Sequence, residues 1–297
     1  MLSLHTNAAG LSAQNSISRT QTSLSTSMTR LSTGYRINSS MDDAAGLQIA
    51  TRLKAQSSGM SVAMRNTQNS ISLMQTADGA LNEVNNILTR MKDLATQAAD
   101  GSSSADDKTA MDAEYNSLTD ELSNIFSNTK FGGTKLLSTA ADGKLNSATG
   151  LTFQIGADSS ETMTANFDTE LSGGSGVTTK ITAATTGFVS DGSSSTPSTG
   201  TNLATNANSA ISNLSSAIDA VSTLRSKLGA VSNRLDHVYN NLSNISSNTQ
   251  AATGRIMDVD FATESSNMTS NQMLMQAGTA MLKQTNSMSS MVMSLLQ

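Results

Sequence analysis

LATNANSAISNLSSAIDAVSTLRSKLGAVSNRLDHVYNNLSNI, residues 203–245, is the stretch whose reading decides the fold. Leu203, Ala207, Ala210, Leu214, Ala217, Val221, Leu224, Leu228, Val231, Leu235, Val238, Leu242 and Ile245 recur in alternating steps of four and three without a miss. That spacing keeps one narrow apolar column on one side of a helix, which is the pattern of a coiled-coil seam. Outward from it, Leu81, Val84, Leu88, Met91, Ala95 and Ala98 keep the same alternation, and Met111, Tyr115, Leu118, Leu122 and Ile125 supply a third run. Three long helices with narrow seams are expected to pack side by side. The eight seam positions Leu214, Val221, Leu224, Leu228, Val231, Leu235, Val238 and Leu242 are the expected core of the longest helix.

Between the second and third runs, DGSSSADD at 100–107 reads as the turn of a helical hairpin. Gly101 can end one helix, and Ser103 or Ser104 can cap the next with Asp106 or Asp107 three residues on. Near the N-terminus Leu4, Ala8 and Leu11, then after a slip of phase Ile17, Leu24, Met28 and Leu31, mark another amphipathic helix. At the other end Phe261, Met268, Met275 and Leu282 form one heptad column, and Leu274, Met281, Met288 and Leu295 form a second. Residues 130–200 lose this periodicity and gain short β-like runs such as LTFQIGA at 151–157. From Ser190 to Thr201, eight of twelve residues are Ser or Thr, which predicts a solvated loop. The fold class is therefore mainly α: a long antiparallel helical bundle or coiled coil with a small β-hairpin region and a short variable insert.

Composition agrees with long helices and argues against a round globule. Aromatic residues make up 3% of the 297 residues, Trp is absent and the single Pro is Pro197. There are few large side chains for a compact core and almost nothing that interrupts a helix. With no Cys, disulfides and thiolate metal sites are excluded. The net charge is −5 and the 18 Lys and Arg are scattered, so nucleic acid is a poor partner and no basic stripe faces a membrane. No apolar run approaches the roughly 20 residues of a membrane span, and MLSLHTNAAG at 1–10 lacks the regions of a secretory signal. Much of the helical surface is Ser, Thr and Asn. These are mediocre helix formers, so the segments need partners to hold them.

The catalytic and metal motifs that such a chain could carry are missing. His5 and His237 stand far apart without a metal-ligand spacing, and no GxSxG elbow accompanies the abundant Ser. Asp42 and Asp43 fit a helix start better than a cation site. Gly132 and Gly133 in KFGGTKLL lack the Lys-Ser/Thr of a phosphate loop and read as a turn. No cofactor, metal or catalytic residue is expected. A signalling coiled coil would show near-symmetric arms about one tip and a membrane anchor, neither of which is seen.

RLSTGYRINSSMDDAAGLQIA from Arg30 to Ala50 resembles the signature of bacterial flagellins after their first helix. RIMDVDFATESSNMTSNQMLMQAGTAMLKQTN from Arg255 to Asn286 is similar to the C-terminal segment of that family, and LGAVSNRLDHVYNNL at 228–242 to its preceding helix. The resemblance covers about residues 1–137 and 203–297. It implies a structural subunit of the flagellar filament, not an enzyme, exported unfolded without a cleaved signal peptide and assembling outside the cell for motility. The implied domains are 1–42 for the N-terminal D0 helix and spoke, 43–173 for the N-terminal D1 helices and β-hairpin, and 174–202 for the Ser/Thr/Gly-rich variable insert. Residues 203–254 would be the C-terminal D1 helix and 255–297 the C-terminal spoke and D0 helix. A separate outer domain is not expected. A junction protein between hook and filament is the nearest alternative, and the lack of a metal-binding motif and the short insert argue against an outer-region protease.

The resemblance also implies partners and sites. Assembly with further copies of the chain is expected through Leu4, Leu11, Leu24, Leu31, Leu274, Met281, Leu282, Met288, Leu295 and Leu296. The flagellar export chaperone and the cap and junction proteins are the other expected bacterial partners. Arg90, Leu94 and Glu114, within LTRMKDLATQ and DAEYNSL, align with the residues through which animal Toll-like receptor 5 senses the family. Spacing places Arg90 and Leu94 one turn apart, with Leu94 beside a charge. Departures are Met41 where a Lys is common, the absence of the family's frequent C-terminal Pro, and seven Met between Met268 and Met293. Thioethers adapt to irregular apolar gaps between subunits. The opening MLSLHTN is similar to lateral flagellins.

Overall fold

The computed structural model describes residues 7–139, 143–185, 187–190 and 203–294. Its helices are α1 (Ala8–Thr33), α2 (Ala44–Ala99), α3 (Ala105–Asn128), α4 (Asp168–Leu171), α5 (Val177–Ala184), α6 (Leu203–Met257) and α7 (Phe261–Ser294). Four short strands lie between α3 and α4: β1 (Lys130–Phe131), β2 (Thr134–Lys135), β3 (Leu151–Gln154) and β4 (Thr162–Ala165). The architecture is mainly α with two small antiparallel strand pairs. The chain divides into two compact units, Met1–Ser57 with Ser247–Gln297 and Ser58–Ser246, and both α2 and α6 contribute to each.

Hydroxyl-rich helices manage their polarity internally. Thr22, Thr26, Thr29 and Thr67 each donate a hydroxyl to the carbonyl four residues back, as do Ser70 and Thr119 on buried faces. A Ser or Thr can therefore enter a helix interface without an unpaired donor. This is how narrow apolar seams are widened by polar residues.

The second unit holds the core. From α6 it takes Leu203, Ala207, Ala210, Leu214, Ala217, Val221, Leu224, Leu228, Leu235 and Leu242, all buried. Val231 and Val238 are half-buried, and Ile245, the last position of the column, is exposed. From α2 it takes Leu81, Val84, Leu88, Met91, Ala95 and Ala98. On α3 the buried row is Tyr115, Thr119, Leu122 and Phe126. The expected Met111, Leu118 and Ile125 only flank it; Thr119 is buried at no cost in unpaired donors because its hydroxyl donates to the Tyr115 carbonyl, and Phe126 brings a larger apolar surface than Ile125. Arg225 of α6 reaches Asp78 of α2 at 2.8 Å and Asn82 at 3.0 Å, and Lys227 reaches Glu170 of α4 at 2.7 Å.

Turns follow their chemistry. Ser104 caps α3 in a reciprocal box: its hydroxyl oxygen accepts from the Asp107 backbone N–H at 3.2 Å, and the Asp107 carboxylate accepts from the Ser104 backbone N–H at 3.1 Å. Gly132 and Gly133 join β1 to β2 with φ of 58° and 83°, the doubly left-handed turn that a two-residue hairpin needs. Phe153 pairs with Met163 across β3 and β4, and both side chains are buried.

The expected variable insert contains a helix that its composition did not announce. Within 174–202, residues 177–184 form α5, and Val177, Ile181, Ala184 and Phe188 join the core. The Tyr115 hydroxyl donates to the Ala184 carbonyl at 2.9 Å, Asn213 donates to the Ala183 carbonyl at 2.8 Å, and the Phe188 ring meets Phe126 edge-on at 5.4 Å. Four apolar residues in a Thr- and Gly-rich context are too sparse to announce a helix, yet the anchoring aromatics on α3 give them a site. The loop expected from Ser190 to Thr201 lies, past Ser190, outside the described residues.

Candidate functional site

In the first unit α1 and α7 pack as an antiparallel pair. Arg30, in the last turn of α1, places its guanidinium 3.7 Å from Glu264 near the start of α7. Further along, a Cβ on Gly278 would lie 2.9 Å from Ile17 Cγ1, so a glycine is needed for this close approach. The rows turned inward are Gly10, Ala13, Ile17, Thr20, Leu24, Ser27 and Leu31 on α1, and Glu264, Met268, Asn271, Met275, Gly278, Leu282 and Thr285 on α7. Both rows alternate steps of three and four, and most members are only half-buried.

The two α7 columns thus take opposite roles. Met268, Met275 and Leu282 face α1, whereas Leu274, Met281 and Met288 are exposed on the outer face. Phe261, grouped with the first column, is exposed as well. On α1, Leu24 and Leu31 turn inward and Leu11 is exposed. Leu4, Leu295 and Leu296 lie outside the described residues, as does His5.

The linkers beside this pair are tied to each other. Tyr35 bridges Asp258, Arg36 N–H donates to the Met257 carbonyl at 2.6 Å, and Val259 N–H donates to the Gly34 carbonyl at 3.0 Å. Gly34 ends α1 in the left-handed conformation at φ 75°, which a side chain would strain. The Asp42 carboxylate accepts from the Asn38 and Ser39 backbone N–H groups, which hold its pKa below the usual range, and Arg30 adds to this from 3.9 Å. Asp43 accepts from Gly46 N–H at 2.8 Å at the start of α2, as the helix-start reading expected. Asp260 accepts from Thr263 Oγ1 at 2.8 Å and Ala262 N–H at 3.0 Å at the start of α7. The signal for that cap, an Asp ahead of a helical column, was present in the sequence and unused.

In the second unit the three residues aligned with the receptor contact divide. Arg90 of α2 and Glu114 of α3 meet on the surface, with Arg90 Nε and Nη2 donating to one Glu114 carboxylate oxygen at 2.9 and 2.7 Å. Leu94, one turn along α2 from Arg90, is 2% exposed and belongs to the core cluster of the second unit. The reason is that α2 has neighbours on two sides, α3 through Glu114 and α6 through Arg225, so its buried face is wider than a two-helix seam.

Among the described residues, no group of three or more His, Cys, Asp or Glu could hold a metal ion, and no helix is long and apolar enough to cross a membrane. His237 is an exposed residue of α6.

Residues 4–142 match the bacterial flagellin N-terminal helical region, and residues 211–296 match the bacterial flagellin C-terminal helical region. Polar flagellin F of Vibrio parahaemolyticus is 51% identical over 160 residues, which is 54% of this chain and 41% of that protein. Flagellin A of Vibrio anguillarum is 49% identical over 160 residues, which is 54% of this chain and 40% of that protein. The matched stretch therefore spans less than half the length of either relative. A solved structure described as a flagellar hook-associated protein of Vibrio parahaemolyticus shares the fold, with a TM-score of 0.55 at 18% identity, covering 73% of this chain and 100% of that one. With both helical regions matched, in order and over most of its length, the chain belongs to the bacterial flagellins, a family of structural proteins and not of enzymes.

Proposed function

We propose that this chain is a structural subunit of a flagellar filament, and that it joins further copies through the α1–α7 pair. The observation that carries the reading is the pair itself. Most members of its inward rows are only half-buried, while Leu274, Met281 and Met288 are exposed on an outer face that no described residue covers. Each large apolar side chain is worth about 1.5–3 kcal/mol when fully buried. Most of that stabilisation is open to α7 only through another chain, so folding of the pair and assembly become one event. Export in an unfolded state, shielding of the C-terminal segment by an export chaperone, contacts with cap and junction proteins, and an extracellular location belong to the same reading.

The test is seeded polymerisation of a chain lacking residues 281–297. Elongation is expected to stop while the melting temperature of the second unit stays nearly constant. Truncated chains that extend seeds at the full-length rate would remove α7 as the assembly element.

A second role rests on Arg90 and Glu114. Although 24 residues apart in sequence, they form one exposed ion pair on the surface, which leaves both charges open to a receptor such as Toll-like receptor 5. Leu94 would support it from below. Arg90→Asp places a second carboxylate against Glu114 and should sharply reduce signalling by soluble subunits, since a charge-assisted contact becomes repulsive, while far-UV circular dichroism is unchanged. Undiminished signalling would show that this pair is not the recognised feature.

A further inference from the structure

The chain has no Cys and no Trp but 17 Met, so the thioether is its most oxidisable side chain. The two units distribute that chemistry unequally. Met74 and Met91, at 1% and 0% exposure, sit in the core of the second unit, and Met163 is buried with them. On the outer face of α7, Met281, Met273 and Met288 are 66%, 59% and 54% exposed. Met281 and Met288 continue the column begun by Leu274, each step of seven residues advancing about 10.5 Å along the helix. An apolar column with helical repeat is suited to another helix.

The partner it fits is a second copy of the α1–α7 pair. The two helices carry four charged side chains in all, Arg19, Arg30, Glu264 and Lys283, and Arg30 faces Glu264. A face so nearly uncharged offers a strongly charged partner nothing to pair with and meets its own copy with little repulsion. Such an interface depends on the apolar character of its thioethers.

We propose that Met273, Met281 and Met288 form an oxidation site at which a peroxide switches off the joining of subunits. The sulfur lone pair attacks one peroxide oxygen, the O–O bond breaks, an S–O bond forms, and after proton transfer the peroxide leaves as water. Each sulfur is oxidised by two electrons and one peroxide is reduced. The product sulfoxide is polar and chiral, and it disrupts an apolar seam. In the joined state the same sulfurs are covered, so oxidation acts on subunits before they assemble. Partial unfolding of the pair in free subunits only increases access. The inference rests on the assembly role proposed for α7.

The experiment treats the purified full chain with dilute hydrogen peroxide, maps sulfoxides by peptide mass spectrometry and measures elongation of seeds made from its own polymer. Met273, Met281 and Met288 should oxidise well before Met74, Met91 and Met163, and elongation should fall about tenfold or more, a change of roughly 1.4 kcal/mol. The triple variant Met273→Leu, Met281→Leu, Met288→Leu should keep most of its rate under the same treatment. Methionine sulfoxide reductase should restore the oxidised wild-type chain, an arm that does not depend on the variant. Equal reactivity of buried and outer methionines, unchanged elongation of chains oxidised at the three sites, or equal loss in the triple variant would each overturn the proposal. Untreated chains that fail to elongate seeds would instead overturn the assembly role beneath it.

Discussion

The two units solve opposite problems with the same ingredients. Both are built from long Ser- and Thr-rich helices whose apolar residues recur by three and four. In the second unit, each column finds large partners within the chain: Tyr115, Leu122 and Phe126 of α3, Leu88 and Met91 of α2, and Leu224 and Leu228 of α6 are all buried in one cluster. In the first unit the facing rows of α1 and α7 interleave Ile17, Leu24, Leu31, Met268, Met275 and Leu282, only half-buried, with Gly10, Ala13, Ser27, Gly278 and Thr285, and Leu11, Met28, Leu274, Met281 and Met288 remain exposed. Small residues allow close approach but remove little apolar area from water. A heptad is thus a statement that a partner is needed, and whether it lies in the same chain is decided by side-chain size on the facing row.

The sharpest way to break that contrast is a matched pair of truncations. Leu228, 1% exposed, should cost ~2–5 kcal/mol in the free subunit when replaced by Ala, because a cavity is left in a rigid cluster. Leu274→Ala on exposed α7 should leave the urea midpoint of the free subunit unmoved and act only on elongation. Equal destabilisation by the two replacements would mean that the units are not distinguished by where their partners lie.

A smaller effect concerns α5, the helix that joins the core without a heptad. Tyr115→Phe removes the hydroxyl that reaches the Ala184 carbonyl and should cost about 1–3 kcal/mol, the range for a buried group left unpaired. Burial pushes the Tyr115 phenol pKa well up, with Asp112 adding to it, so the neutral donor persists across the working range. Amide hydrogen exchange should show the loss concentrated in residues 177–185. Exchange that speeds up evenly along α3 and α6 instead would argue that the bond does not anchor α5.

The smallest effect is at the hairpin of α2 and α3. Ser104→Ala should cost ~1 kcal/mol, as is usual for loss of an N-cap hydroxyl. The Ser104 hydroxyl, and after it the Ser104 backbone N–H, hold the Asp107 carboxyl below its ordinary value of 3.8. A carboxylate with a lower pKa in the folded state stabilises the fold fully above its unfolded value, and that contribution disappears as pH falls through the folded value. Between neutral pH and pH 3, wild type should therefore lose more of its urea midpoint than Ser104→Ala does. An identical acid response in both proteins would show that the box contributes nothing in solution.

Much was legible in the chain alone. The column from Leu203 to Leu242 reads as a seam because an unbroken alternation of three and four keeps one apolar stripe on one side of a helix, though Val231 and Val238 within it are only half-buried. The hairpin at 100–107 and the turn at Gly132 and Gly133 were legible because caps and left-handed turns demand particular residue types. The flagellin signatures at Arg30–Ala50 and Arg255–Asn286 pointed to the family for a different reason, the length and order of their motifs.

Tertiary structure alone decided which residue of a row goes in and which stays out. Leu94 entered the core because α2 is flanked on two sides, Thr119 could be buried where Leu118 only flanks because its hydroxyl bonds to its own helix, and α5 packs where Phe126 and Tyr115 meet it. It also joined Tyr35 to Asp258 and Arg30 to Glu264, pairs more than two hundred residues apart. Sequence periodicity records what a segment can bury. Which neighbour covers it, and how completely, depends on packing between segments whose separation along the chain leaves no local pattern.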